Sequence, residues 1–304
     1  MIVYNRCLDA SPASAGLPAC MPINYDKLIN WKFPEVEQQL TRRDTMLYAL
    51  GVGLGADPCD ADQLRFVYEQ DLQALPTMAI VLANTGPWYA HPDTGITRSH
   101  VVHGEQSFEI HRPLPVEGVI IGRTRVTGVF DKGKDKGALV ITGRTVCDKA
   151  SGEVLCTMET ATFCRADGGF GGPSGPVKPV LPVPDSPPDA AWDLPTLPQA
   201  ALIYRLSGDY NPLHADPAYA QKAGFEKPIL HGRCTFGVAG HAILKTCGYD
   251  PARFKSMAGR FSSPVYPGET IRTEIWRNGN LLSFRSTVPE RGVTVLNNGR
   301  AEVV

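Results

Sequence analysis

What the 304-residue chain lacks narrows its function first. None of its eight cysteines, at positions 7, 20, 59, 147, 156, 164, 234 and 247, falls in a Cys-x-x-Cys pair. A zinc knuckle and a thioredoxin-type redox motif are therefore excluded. No run of 18 apolar residues occurs, so no membrane-spanning helix is expected. The formal net charge is −1, which removes a global positive field for nucleic acid or an anionic membrane. The opening MIVYNRCLDASPASAGLPAC has no continuous apolar core, so no export signal is read. The thiols are accordingly expected to be reduced, several of them buried in strands. The closing GRAEVV carries neither a Ser-Lys-Leu-type peroxisomal address nor a prenylation box. GGFGG tempts a phosphate-loop reading, but its spacing is not G-x-G-x-x-G and no GK[ST] follows.

What is there is a packed globular protein. Apolar residues make up 43% and charged residues 20%, and the length suits two ordinary domains or one large one. Residues 1–22 read as an N-terminal extension. Residues 166–195 are dominated by Gly and Pro, lose apolar periodicity and read as an extended linker. The flanking parts, 23–165 and 196–304, read as degenerate copies of one unit. Thr41-Arg-Arg-Asp44 is a capping-box pattern, and Thr196-Leu-Pro-Gln199 is expected to be the same device. Each copy then has an Asp-Pro pair, Asp57-Pro58 and Asp216-Pro217. A Pro-led apolar helix follows in each, at Pro76–Leu82 and at Pro228–Gly237. Strands are expected at 118–130, 138–147 and 152–164, and again at 270–277, 281–288 and 293–304. Asn278-Gly279 gives a hairpin signal. The fold class is α+β: a long central helix covered by an antiparallel sheet, twice, with the two sheets meeting edge to edge.

Chemistry concentrates in SGDYNPLHADP, residues 207–217, an irregular segment interrupted by Pro212. Asp216 reads as the cap of a short helix starting at Pro217, and Asn211 as a brace that also orients a neighbour. Capping explains little about Asp209 and His214, which favours an acid/base pair. Copy one has Gly51-Val52-Gly53 where copy two has Ser207-Gly208-Asp209, so the shared scaffold does not require these polar residues. A metal reading would draw on Asp209, His214 and His231, but no recognised ligand spacing fits, and no metal is expected. His231 itself reads as a core or capping histidine.

YRLSGDYNPLHADP (204–217) and GFEKPILHGRCTFG (224–237) closely resemble the type-2, R-specific enoyl-CoA hydratases. These are MaoC-like proteins with the hot-dog fold, found also as the hydratase part of peroxisomal multifunctional enzymes. The resemblance runs the whole chain, through Lys32-Phe-Pro, Asp131-Lys132-Gly133, GGFGG, Arg260-Phe261 and Pro264–Gly268. It implies a double hot dog with a catalytic second copy and a first copy widened for the fatty acyl tail. Carried over, the catalytic pair falls on Asp209 and His214, with Asn211 in support and Gly232 supplying a backbone amide to the thioester. Substrate-binding positions fall on His103, Gly104, Lys132, Tyr210, Pro212, Leu213 and Phe261. Glu69 matches a glutamate whose role reads as structural. Lys132, Arg253, Lys255 and Arg260 are candidate cations for the CoA phosphates, with a solvated strand face an equal reading for the last three.

The implied activity is reversible syn hydration of trans-2-enoyl-CoA to (3R)-3-hydroxyacyl-CoA, with no cofactor. The implied partner is an acyl-CoA thioester, without nucleic acid or a membrane span. Hot-dog pairs commonly dimerise, so a homodimer stays open, although one chain already supplies the pair. The compartment expected is the peroxisome for a eukaryotic host and the cytoplasm otherwise. Three rivals remain: the same chemistry on acyl-carrier-protein thioesters, a non-catalytic acyl-CoA-binding hot dog, and a thioesterase.

Overall fold

The computed structural model describes residues 22–176 and 181–304. The expected extension, save Pro22, lies outside the described residues. Side-chain caps set the first helices. Asn24, Thr41 and Asp60 accept first-turn amide hydrogens of α1 (Tyr25–Ile29), α2 (Arg42–Gly51) and α3 (Ala61–Leu64). Thr41 and Asp44 form the reciprocal capping box that their spacing predicts. The matching expectation at Thr196 fails. α4 (Ala200–Tyr204) starts only after Gln199 and has no side-chain cap. Thr196 is held elsewhere, its amide and hydroxyl both donating to the Glu269 carbonyl. Asp216 caps α5 (Pro217–Lys222) by accepting from Ala218 and Tyr219, as expected.

The strands are β1 (Val36–Leu40), β2 (Val101–Ile110), β3 (Gly118–Asp131), β4 (Ala138–Asp148) and β5 (Val154–Cys164). The second set is β6 (Ala190–Pro195), β7 (Phe254–Phe261), β8 (Thr270–Asn278), β9 (Leu281–Val288) and β10 (Val293–Val303). They form one 10-stranded sheet in the order β1-β3-β4-β5-β2-β7-β10-β9-β8-β6, with every pair antiparallel. The two halves of that order repeat one pattern. They join edge to edge along β2 and β7, where Phe108 faces Met257 and Gln106 faces Gly259. The hairpin between β8 and β9 turns on Gly279-Asn280, one residue later than Asn278-Gly279, with Asn278 paired to Leu281 and Gly279 at φ 60. β1, β2 and β7 escape a periodicity reading: β1 is the polar VEQQL, and Gly104 and Gly259 interrupt the other two. β6 lies inside the segment read as linker. It is an edge strand on β8, kept there because Trp192 covers the end of the central helix and donates to the Thr246 hydroxyl at 3.0 Å.

That central helix is α6 (Gly232–Thr246). Cys234 through Leu244 are all buried, as befits a helix apolar all round. Copy one does not repeat it, contrary to expectation. Pro76–Val81 forms only a short 3-10 turn, and the chain leaves extended at Leu82. The apolar run is too short to sustain a helix, and Asn84-Thr-Gly-Pro87 breaks it at once. The turn instead wedges against α6. A Cβ at Gly240 would stand 2.2 Å from Thr77 Cγ2, and one at Gly237 would stand 2.6 Å from Val52 Cγ1. Glycine is thus what lets copy one reach the helix of copy two. Gly240→Ala should lower unfolding free energy by about 1–3 kcal/mol through overpacking against a β-branched neighbour, despite the usual helical gain of alanine. A urea titration reads the drop in midpoint; an unchanged midpoint would show that the contact yields freely.

Candidate active site

The loop between α4 and α5 is built from turn chemistry. Gly208 adopts φ 107, a conformation open mainly to glycine, and ends the helical path. Asp209 Oδ1 accepts from the Asn211 amide at 3.3 Å, and Asn211 Oδ1 accepts from the Leu213 amide at 3.2 Å. Pro212 then opens the 3-10 turn Pro212–His214, where its missing N–H costs nothing. Asn211 therefore braces the loop, as expected. The turn buries His214, 8% exposed, with Nδ1 donating to the Ile229 carbonyl at 2.9 Å. This bond leaves Nε2 as the acceptor nitrogen.

Ile229 leads into α6, so the same extended approach that starts the helix also orients His214. Two residues on, His231 stacks its ring on that of His214, with centroids 3.7 Å apart and planes 30° apart. Its Nε2 donates to the Asp209 backbone carbonyl at 3.1 Å. His231 holds the N-cap position of α6 without a side-chain capping bond. At 1% exposure it is the core histidine that the sequence suggested, packed against His214 and bonded to the Asp209 backbone. One ligand atom from each of Asp209, His214 and His231 lies within 4.8 Å of the others. These are the three residues on which a metal reading of the sequence would draw, and Ile229–Gly232 brings His231 back to the loop in three dimensions.

Burial opposes charge on Asp209, but His231, Arg233 and His214, with the Asn211 amide, hold its pKa below the ordinary carboxylate value. Burial depresses His214, against the partial opposition of Asp209, and also depresses His231, with His214 adding to the effect. The resulting state is an ionised carboxylate beside neutral imidazoles. Gly232, the first residue of α6, has an amide with no intrahelical acceptor and no bond among the described residues. The Phe261 ring covers it, and a Cβ at Gly232 would stand 3.3 Å from Phe261 Cε1. Phe261 in turn packs 4.5 Å from the ring of His103. A bulge in β2 between His103 and Glu105 re-aims that histidine, and Gly104 keeps a Cβ away from the Ala161 carbonyl. His103 Nε2 is buried without a partner among the described residues.

Asp209, Asn211, His214, Gly232, His103, Gly104 and Phe261 are thus gathered by a few linked contacts. Pro212 and Leu213 are half-buried in the loop, while Tyr210 is 49% exposed beneath the Arg205 guanidinium. Lys132 is tied elsewhere: its Nζ donates to the Ser174 carbonyl at 2.6 Å. The neighbouring Asp131 carboxylate gathers the Gly133, Gly169 and Gly171 amides, which explains GGFGG as an anchored loop. Arg253 is bound to the Val304 and Cys247 carbonyls, and Arg260 is exposed on β7. Glu69 is exposed, with its carbonyl accepting from Arg42. Arg233, missed in the sequence, faces the site from the first turn of α6. A cation in the opening turn of an apolar helix was the signal.

Comparison with known proteins finds family models matching both halves of the chain. The MFE-2 hydratase 2 N-terminal domain model matches residues 38–166, and the MaoC like domain model matches residues 180–298. Enoyl-CoA hydratase 2, peroxisomal, of Arabidopsis thaliana is 41% identical over 290 residues, covering 90% of this chain and 93% of that protein. The chain belongs to the MaoC-like enoyl-CoA hydratase 2 family. Peroxisomal multifunctional enzyme type 2 of Mus musculus is 37% identical over 99% of this chain, which spans 40% of that longer protein. The crystal structure of a MaoC-like dehydratase from Phytophthora capsici superposes with a TM-score of 0.81 at 35% identity, covering 93% and 98% of the two chains. The fold is the α+β double hot dog.

Proposed function

We propose that Asp209 and His214 hold one water and add it across the C2–C3 double bond of a trans-2-enoyl-CoA, yielding the (3R)-3-hydroxyacyl thioester. The chain is a hydro-lyase, an enoyl-CoA hydratase. The observation that carries the residue assignment is the shared loop. It presents an ionised carboxylate and an imidazole whose Nδ1 is already engaged, beside the open amide of Gly232. Negative charge developing on the thioester oxygen meets that amide at the positive end of α6. The water gives a proton to one of the two bases while its oxygen bonds to C3. With Asp209 ionised and His214 neutral, the site holds no spare acidic proton. The proton taken from water is then the one returned to C2, so both new bonds form on one face.

Copy two is the catalytic half in this reading, and copy one houses the acyl group. The Arabidopsis relative is named as peroxisomal; we place this chain in the peroxisome of a eukaryotic host, or in the cytoplasm of a bacterial one. No helix among the described residues is long and apolar enough to cross a membrane.

The test is loss of enoyl-thioester absorbance with a trans-2-enoyl-CoA. Faster turnover of the carrier-protein thioester would move the substrate to that class, and release of free CoA thiol would replace hydration by hydrolysis. Gly232→Ala keeps the backbone N–H but should lower kcat about a hundredfold, the scale of displacing a reacting group by about an ångström. Its methyl presses on Phe261 and on the approaching thioester. A KM change with unaltered kcat would instead make Gly232 a binding position only.

A further inference from the structure

One small cavity of copy one is lined mainly by polar side chains. Beside the start of α6 lies a cavity of about 60 Å³. Thr124, Thr142, Thr160 and Thr162 share its wall with Arg144 and Arg233, and no carboxylate lines it. Strand register sets this wall: Arg144 faces Thr124 on β3 and Met158 on β5, and Thr142 faces Thr160.

Arg144 is only 7% exposed. Its guanidinium donates to Asn84 Oδ1 at 3.1 Å and to the Ile80 carbonyl at 2.8 Å, and otherwise meets the Met158 sulfur. All these partners are neutral. A buried cation normally has an anionic partner, because desolvating it alone is costly. Arg233 adds a second positive charge. It sits where the helix dipole is unfavourable to a cation, and it forms no hydrogen bond or ion pair among the described residues. Burial, and then the charge of Arg233, push the pKa of Arg144 down to about 9. The cavity also borders the reacting groups. Tyr89 lines it and lies within reach of the Asp209 charge, and Arg233 directly follows Gly232.

We infer that this pocket selects 2-enoyl thioesters whose acyl chain ends in a carboxylate, bound between Arg144 and Arg233 among the threonine hydroxyls. The inference rests on the hydratase reading for its thioester and adds the class of acyl group. The cavity has room for a carboxylate and little more, whereas a long alkyl tail would leave Arg144 buried among neutral partners and would strip water from Arg233. A carboxylate supplies the missing charge with the planar fork that guanidinium matches.

The experiment compares kcat/KM for trans-2-octenoyl-CoA and for the mono-CoA thioester of trans-2-octenedioic acid. We expect the carboxylate substrate to lead by at least about tenfold, the scale of a charged hydrogen bond. Arg233→Leu should erase that lead and Arg233→Lys should keep part of it. Arg144→Gln should also erase it; because its burial endangers folding, the partly exposed Arg233 carries the decision. Separately from turnover, suberate should raise the melting temperature of the wild-type protein and not of Arg233→Leu. An alkyl preference that Arg233→Leu leaves unaltered overturns the inference, as does equal stabilisation by inorganic phosphate. Absence of turnover on both thioesters, with suberate still stabilising through Arg233, would fault the hydratase reading and leave the carboxylate pocket standing.

Discussion

Asp209→Asn should reduce kcat about a thousandfold with little change in melting temperature, and His214→Asn should do the same. The substitutions are chosen to spare the loop. An asparagine at 209 keeps an oxygen for the Asn211 amide, a bond of 3.3 Å in the native loop, but cannot take a proton. An asparagine at 214 keeps an N–H that can serve the Ile229 carbonyl, as Nδ1 does natively, but offers no basic nitrogen. Because both groups act on one water, the double variant should lose scarcely more than either single one. Non-additivity of that kind marks residues that work as a unit. Additive losses would mean that the two act in separate steps. Comparing kcat with thermal melting separates chemistry from folding.

Acidification should destabilise this protein well before its carboxylates titrate. Burial lowers the pKa of His103 to about 3, with Arg233 contributing, and lowers that of His241 to about 4. His214 and His231 are depressed by burial as well. A histidine with a folded pKa below its unfolded value near 6.5 is neutral in the native state. Below about pH 6.5 the unfolded chain binds protons that the folded chain refuses, so stability falls as pH falls. Above that range the effect vanishes. Each of His103 and His241 should remove up to about 2 kcal/mol between pH 7 and pH 5. His241 is a clear case. Its Nδ1 faces the Val52 carbonyl and its Nε2 the Tyr249 hydroxyl, so a neutral ring already satisfies both neighbours. Urea midpoints measured at pH 7, 6 and 5 should decline steadily; a flat series would place these rings in contact with water.

The candidate site loop was legible because its chemistry is local. Asn211, Pro212 and Asp216 do in the structure what turn and capping preferences say they should, and Asp209 and His214 stand out as the polar residues left over. The sheet was legible where strands alternate, as β9 does, and illegible where glycine or polar residues interrupt the pattern, as in β1, β2 and β7. Copy one misled because Pro76–Leu82 is apolar enough for a helix and too short to be one. Arg233 and Arg144 were missed for another reason, and His231 was read only as a core or capping residue. Their contacts arise where the start of α6 meets the loop of its own copy and the sheet of the other. No spacing along the chain encodes that meeting.

The central claim is that one water, held between Asp209 and His214, supplies both groups on one face of the double bond. Its most direct test is hydration of a trans-2-enoyl-CoA in deuterium oxide, with the configuration at C2 and C3 read by NMR and chiral analysis. Only the (3R) alcohol is expected, with deuterium at C2 on the same face as the new hydroxyl. A (3S) product, or deuterium on the opposite face, would contradict it.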